Sequence, residues 1–181
     1  MTTANIITMV RIAMIPVFLV FATEGQEYAL ISAIIFAVAS LTDSLDGYIA
    51  RHYNQVTDFG KLVDPLADKL LVLSALLIFV QNGVMPVWVA TVIVGREFAI
   101  SGLRMIAASK GIVIAAGKSG KVKTFVQCIM TILLLVLGTN IIELTSWFSV
   151  QDMAVYLMLI VGVYSGVEYF ITNRSVFKGS L

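Results

Sequence analysis

The chain has 181 residues, 59% of them hydrophobic and only 13% charged, with a formal net charge of +1. Its mean hydropathy of +0.97 sets it apart from soluble domains, in which about half the residues are apolar and about a quarter charged. The charge balance excludes a strongly basic or acidic tail and so a nucleic-acid partner, the single Cys128 excludes a disulfide framework, and the length fits one domain spanning 1–181.

In chain order, six apolar segments fall at about 5–22, 28–51, 59–81, 85–109, 120–138 and 151–171. Each is close to the roughly 20 residues that a bilayer core requires. The first has no basic residue ahead of it, so it reads as a retained span and not a cleaved signal. The connectors are short, and no linker, low-complexity tract or internal repeat separates them. Open sheets cannot expose their backbone groups to lipid, and no ten-residue alternation indicates a barrel. The expected fold is therefore an all-α integral membrane protein, a bundle of six transmembrane helices. Connectors after spans one, three and five carry only Glu24, Glu27, Glu143 and Asp152 as charges, and all twelve Lys and Arg residues belong to the other side or to spans facing it. The positive-inside rule then places both termini and the turn between spans two and three in the cytoplasm. Trp88 and Trp147 read as interfacial anchors, and Gly138, Gly162 and Gly166 as positions of close helix packing. Cys128, alone in an apolar run, has no partners for zinc and reads as a small core residue.

That cytoplasmic turn contains "TDSLDGYIARHYNQVTDFGKLVDPLADK", residues 42–69, with Asp43, Asp46, Asp64 and Asp68 at helical spacings. Asp43, Asp46, Gly47 and Ala50 share one face at the end of span two, and Gly60, Asp64 and Asp68 step by four along the start of span three. A single intramembrane carboxylate is as readily a proton relay or ion-pair partner as a ligand. Four that converge from adjacent helices repel one another and lose hydration, and two divalent cations balance their charge. Oxygen-only ligation points to Mg²⁺ or Mn²⁺, and a metal pair suits phosphoryl transfer. Gly47 and Ala50 are small enough to admit a bulky substrate to the helix backbone. Thr57 and Asp58, immediately before span three, fit helix capping better than metal binding.

The pattern D-x-x-D-G-x-x-A-R followed after eight residues by G-x-x-x-D-x-x-x-D resembles the signature of the CDP-alcohol phosphotransferase family. Here it reads Asp43, Asp46, Gly47, Ala50, Arg51, Gly60, Asp64 and Asp68, with no departure at a fixed position. The resemblance implies a six-helix catalytic bundle, usually homodimeric, that transfers a substituted phosphate from a CDP-linked donor to an alcohol and releases CMP. It implies Asp43, Asp46 and Asp64 as main ligands of the metal pair. Asp68 is implied both as a ligand and as the base that deprotonates the acceptor hydroxyl. Gly47 and Ala50, with Gly60, would border the donor, CDP-diacylglycerol, and Arg51 would meet its diphosphate. Asn5 matches a nucleotide-contacting position, although an Asn there is equally a helix cap.

"GREFAISGLR" and "AAGKSGKVKT" resemble the branch of that family that takes sn-glycerol 3-phosphate, giving phosphatidylglycerophosphate. A phosphorylated acceptor also agrees with the charges: Arg96 and Arg104 lie inside span four, where an unpaired guanidinium is costly, and Lys118, Lys121 and Lys123 follow at the start of span five. Arg96, Arg104 and Lys121 are the expected phosphate donors. For Lys118 and Lys123, contact with anionic headgroups serves as well as substrate binding. A salt bridge from Arg96 to Glu97 is disfavoured, since adjacent helix residues do not face each other. Rival readings are a transferase for inositol phosphate, serine or phosphatidylglycerol, an intramembrane prenyltransferase, and a small ion-coupled transporter. Prenyltransferases need more spans and well-separated aspartate motifs, and a transporter leaves the Gly, Ala and Arg placements unexplained.

Overall fold

The computed structural model describes the backbone of residues 3–52, 58–112, 114, 117–138, 143–145 and 148–177. Within those ranges the side chains are described except at 3–6, 43–52, 58–62, 64–65, 143–145, 148 and 177. Six α-helices account for nearly all of it: α1 (Thr3–Thr23), α2 (Ala29–His52), α3 (Asp58–Gln81), α4 (Val87–Ser109), α5 (Lys118–Leu137) and α6 (Val150–Thr172). Each boundary falls within two residues of the expected segment.

Local chemistry explains the ends. Gly83 adopts φ 71° just after α3, and Pro86, extended at ψ 140°, precedes α4, where its missing N–H costs nothing. Gly138 terminates α5 with φ 55°, the left-handed conformation that suits glycine at a helix C-terminus. It is thus a stop signal, and a closely packed position as well, since an added Cβ would collide with the Gln26 side chain. α6 begins with a capping box: Ser149 Oγ accepts from the Asp152 N–H, and the Asp152 carboxylate accepts from the Ser149 N–H. The connector before α6 is not plain loop. Strands β1 (Glu143–Thr145) and β2 (Phe148–Ser149) pair antiparallel, with Glu143 opposite Ser149 and an irregularity beside it.

The chain forms two compact units. One comprises residues 1–84 and 131–141, where α1 packs against both α2 and α3 and these also touch each other. Its interior mixes small and large residues: Ala33, Ala39, Ala67 and Ala75 are at most 2% exposed, beside Phe18, Phe36, Leu71 and Leu76. The Phe18 and Phe36 rings lie 5.8 Å apart in a tilted arrangement that aromatic quadrupoles favour. The other unit comprises residues 85–130 and 142–181. There α4 packs on α6 and the 3₁₀ turn Arg174–Phe177 closes against both, around Ile100, Leu103, Ala107, Tyr169 and Val176.

Large apolar side chains point outward on every helix, among them Val20, Leu41, Leu77, Met105, Phe125 and Ile160. Water would penalise that surface, whereas lipid does not. Among the described residues, α5 and α6 are long and apolar enough to cross a membrane, and residues 7–23 and 26–42 form shorter apolar runs. Helices α3 and α4 carry charges within their length, at Asp64, Asp68 and Lys69 and at Arg96, Glu97 and Arg104.

Candidate active site

The aspartate pattern occupies the last turns of α2 and the first turns of α3. Both helices are continuous there, so the i, i+3 and i, i+4 spacings hold in three dimensions. The side chains of Asn5, Asp43, Asp46, Gly47, Ala50, Arg51, Gly60 and Asp64 lie outside the described residues. Asp68 is described and is exposed. The donor set offered by the four aspartates is carboxylate oxygen only, the chemistry that hard divalent cations take. Among the described residues no group of three His, Cys, Asp or Glu gathers, as expected when three of the four carboxylates fall outside them.

Helix register singles out an unforeseen residue. Arg11 lies twelve residues before the end of α1, and Leu41 lies twelve residues into α2. Asp43 is nine residues before the end of α2, and Ala67, next to Asp68, is nine residues into α3. These matching offsets, at about 1.5 Å of rise per residue, run along helices of one unit in which α1 packs against both α2 and α3. Arg11 is 0% exposed and Thr8, one turn earlier on the same face, is 1% exposed. A buried guanidinium persists only when partnered, and Arg11 is partnered. Sequence reasoning had counted Arg11 only as a topology marker; its position inside an apolar run was the available signal.

The other unit holds the cations. Arg96 Nη1 donates to Glu97 Oε1 at 3.0 Å, and Arg96 Nη2 donates to Ser165 Oγ on α6 at 2.7 Å. Lys123 Nζ on α5 donates to the same Glu97 oxygen. The expectation that Arg96 and Glu97 would not pair is therefore wrong. Their Cβ atoms diverge, but both side chains are long, and Lys123 draws the carboxylate to the point the guanidinium reaches. Partial burial, with side chains 13% and 24% exposed, leaves little water to compete. Close approach of α6 shapes the same corner: a Cβ on Gly166 would stand 3.0 Å from Arg96 Cγ. Gly166 thus meets the close-packing expectation, whereas a Cβ on Gly162 would meet nothing within 4 Å among the described residues.

Arg104, two turns beyond Arg96, donates from Nε to Tyr169 Oη at 3.0 Å, its guanidinium carbon 5.5 Å from that ring's centroid. It is exposed, as are Lys118 and Lys121 in the first turn of α5. Lys123 is only 6% exposed and does not reach outward to headgroups. Of the five expected cations, then, Arg96 and Lys123 meet through Glu97, and the other three stay accessible. Glu97, Ser165 and Tyr169 went unrecognised in the sequence, although Ser165 and Tyr169 stand four apart on one helix face. Gln127, one turn beyond Lys123, is 5% exposed with Nε2 unsatisfied among the described residues.

A family model described as CDP-alcohol phosphatidyltransferase matches residues 1–164. The chain is 43% identical to the CDP-diacylglycerol--glycerol-3-phosphate 3-phosphatidyltransferase of Bacillus subtilis, covering 97% of each chain. It is 38% identical to a probable phosphatidylglycerophosphate synthase of Mycobacterium tuberculosis, over 92% of this chain and 78% of the relative. A Rickettsia bellii protein with the same name as the Bacillus one is 34% identical, over 96% of each chain. The matched stretch contains the aspartate-bearing turns of α2 and α3 and the cation-bearing turns of α4 and α5, and the chain belongs to the CDP-alcohol phosphatidyltransferase family.

Proposed function

We propose that this protein is a CDP-diacylglycerol–glycerol-3-phosphate 3-phosphatidyltransferase of phospholipid biosynthesis. It transfers the phosphatidyl group of CDP-diacylglycerol to sn-glycerol 3-phosphate, giving phosphatidylglycerophosphate and CMP. The observation that carries this reading is the 43% identity, over 97% of both chains, to a Bacillus enzyme of that name.

The residues divide the work as follows in this reading. Asp43, Asp46, Asp64 and Asp68 would hold two divalent cations, Mg²⁺ or Mn²⁺, which when bound would supply positive charge for the diphosphate chemistry. Arg51 meets the diphosphate, and Asn5, Gly47, Ala50 and Gly60 border the nucleotide. Asp68 takes the proton of the acceptor's primary hydroxyl. That oxygen bonds to the lipid-bearing phosphorus as the bond to CMP breaks. Arg104 and Lys121 hold the acceptor phosphate, with Lys118 exposed beside them and Arg96 and Lys123 adding positive charge from their pairing with Glu97. The six helices form a single multi-pass domain, homodimeric in the bilayer, with termini and active site on the cytoplasmic side. There CDP-diacylglycerol enters laterally from the inner leaflet while its acyl chains remain in lipid.

The test is CMP release from CDP-diacylglycerol in detergent micelles, with lipid-product analysis for each of several acceptors. Phosphatidylglycerophosphate formed from sn-glycerol 3-phosphate is the expected outcome. Faster turnover with inositol phosphate, serine or phosphatidylglycerol would reassign the acceptor and leave the family chemistry in place.

A further inference from the structure

Glu97 differs from the residues around it in kind. It is an anion placed among the cations expected to hold an anionic substrate. Both of its cationic donors, Arg96 Nη1 and Lys123 Nζ, end on the same oxygen, Oε1. Oε2 has no donor among the described residues, and the side chain is 24% exposed. One carboxylate between two cations keeps the triplet net positive, so Glu97 does not repel an incoming phosphate. The unengaged Oε2 of this carboxylate is a hydrogen-bond acceptor.

Its position is fixed from three helices. Arg96 is anchored by Ser165 on α6 and confined by Gly166, and Lys123 reaches in from α5. The end-on fork of Arg96 is therefore occupied by Glu97 and Ser165 and does not serve a phosphate bidentately. Glu97, Ser101 and Arg104 follow one face of α4 at i, i+4 and i+7. That face presents a rigidly held acceptor oxygen at one end and an exposed guanidinium two turns away. Such a pair suits a small ligand with a phosphate at one end and a hydroxyl elsewhere.

We propose that Glu97 is a specificity-determining residue whose Oε2 accepts a hydrogen bond from the acceptor's non-reacting secondary hydroxyl. The inference rests on sn-glycerol 3-phosphate being the acceptor. That molecule has one hydroxyl that attacks and one that does not, and nothing else assigned in the site recognises the second. A site built around a hydroxyl rejects the analogue lacking it, because a desolvated partner is then left unpaired.

The decisive comparison pits sn-glycerol 3-phosphate against 3-hydroxypropyl phosphate, which keeps the phosphate and the primary hydroxyl but lacks the secondary one. The readout is the ratio of their kcat/KM values, which cancels losses common to both acceptors. The wild type is expected to prefer sn-glycerol 3-phosphate about ten- to hundredfold, the factor for one charge-assisted hydrogen bond, and Glu97→Ala to bring the ratio close to one. Glu97→Asp, with its carboxylate drawn back by one methylene, should fall between, and it decides the matter if Glu97→Ala does not fold. Arg104→Gln should lower kcat/KM for both acceptors alike and leave the ratio standing. A wild type indifferent to the secondary hydroxyl would overturn the proposal, as would Glu97 variants that slow both acceptors equally. A wild type that turns over neither acceptor while using another alcohol would instead refute the acceptor assignment beneath it.

Discussion

At the scale of single residues, the four aspartates are equivalent in charge and differ in position, and substitution separates their roles. Asp68→Asn is expected to abolish turnover yet keep substantial CDP-diacylglycerol binding, since three carboxylates still hold the diphosphate site. Asp64→Asn should weaken metal and donor binding together. Equilibrium binding of donor to both variants, measured beside CMP release, tests this, and equal binding losses would remove the separate base role of Asp68. Arg104, exposed and braced on Tyr169, should act on the acceptor alone. Arg104→Gln is expected to cost on the order of 1.5–3 kcal/mol of transition-state binding, or roughly ten- to more than hundredfold in kcat/KM for sn-glycerol 3-phosphate. Its KM for CDP-diacylglycerol should move little, and steady-state kinetics varying each substrate separately distinguish the two. These residues were legible because charge in an apolar chain is conspicuous. The pairing of Arg96 with Glu97 was not, because a spacing rule built on Cβ directions ignores how far long side chains fold back, and the third partner, Lys123, is remote in sequence.

At the scale of elements, what the chain announced was length and polarity. Helix boundaries came within two residues because apolar runs end abruptly at Gly, Pro and charged residues, as at Gly83, Pro86 and Gly138. The β1–β2 pairing stayed hidden, since two strands totalling five residues within a connector leave too short an alternation to register. Gly138 illustrates a signal read by half: its close packing was legible, its backbone conformation was not. With φ 55° it ends α5, and an added Cβ would collide with the Gln26 side chain, whose Nε2 donates to Leu137 O at 3.2 Å. Gly138→Ala is expected to destabilise the protein by about 1–2 kcal/mol, from left-handed strain and displacement of Gln26. Thermal unfolding in one detergent measures it. In a Gln26→Ala background the collision disappears, so the cost of the alanine should fall towards the backbone strain alone.

At the scale of the whole molecule, the reading requires that activity depend on a divalent cation. Chelation should abolish CMP release, and Mg²⁺ or Mn²⁺ should restore it; undiminished turnover of chelated, metal-free enzyme would end the two-metal reading. The family chemistry was visible from eight residues within 26 positions, whereas the division into two compact units, with α5 contributing through Met130 to one and from Thr131 to the other, had no counterpart in composition or periodicity. Nor did the burial of Arg11, which depends on three helices meeting. In the first unit Ala33, Ala39, Ala67 and Ala75 are enclosed beside larger residues such as Phe18, Leu71 and Leu76, while many other leucines and valines face outward; small residues at such positions let helices approach closely. Size is therefore constrained at those alanines and much less so on the outward face. Outward positions can exchange one large aliphatic residue for another over generations with little effect, whereas Ala33, Ala39, Ala67 and Ala75 cannot grow by even a methyl group without parting the helices that carry the aspartates.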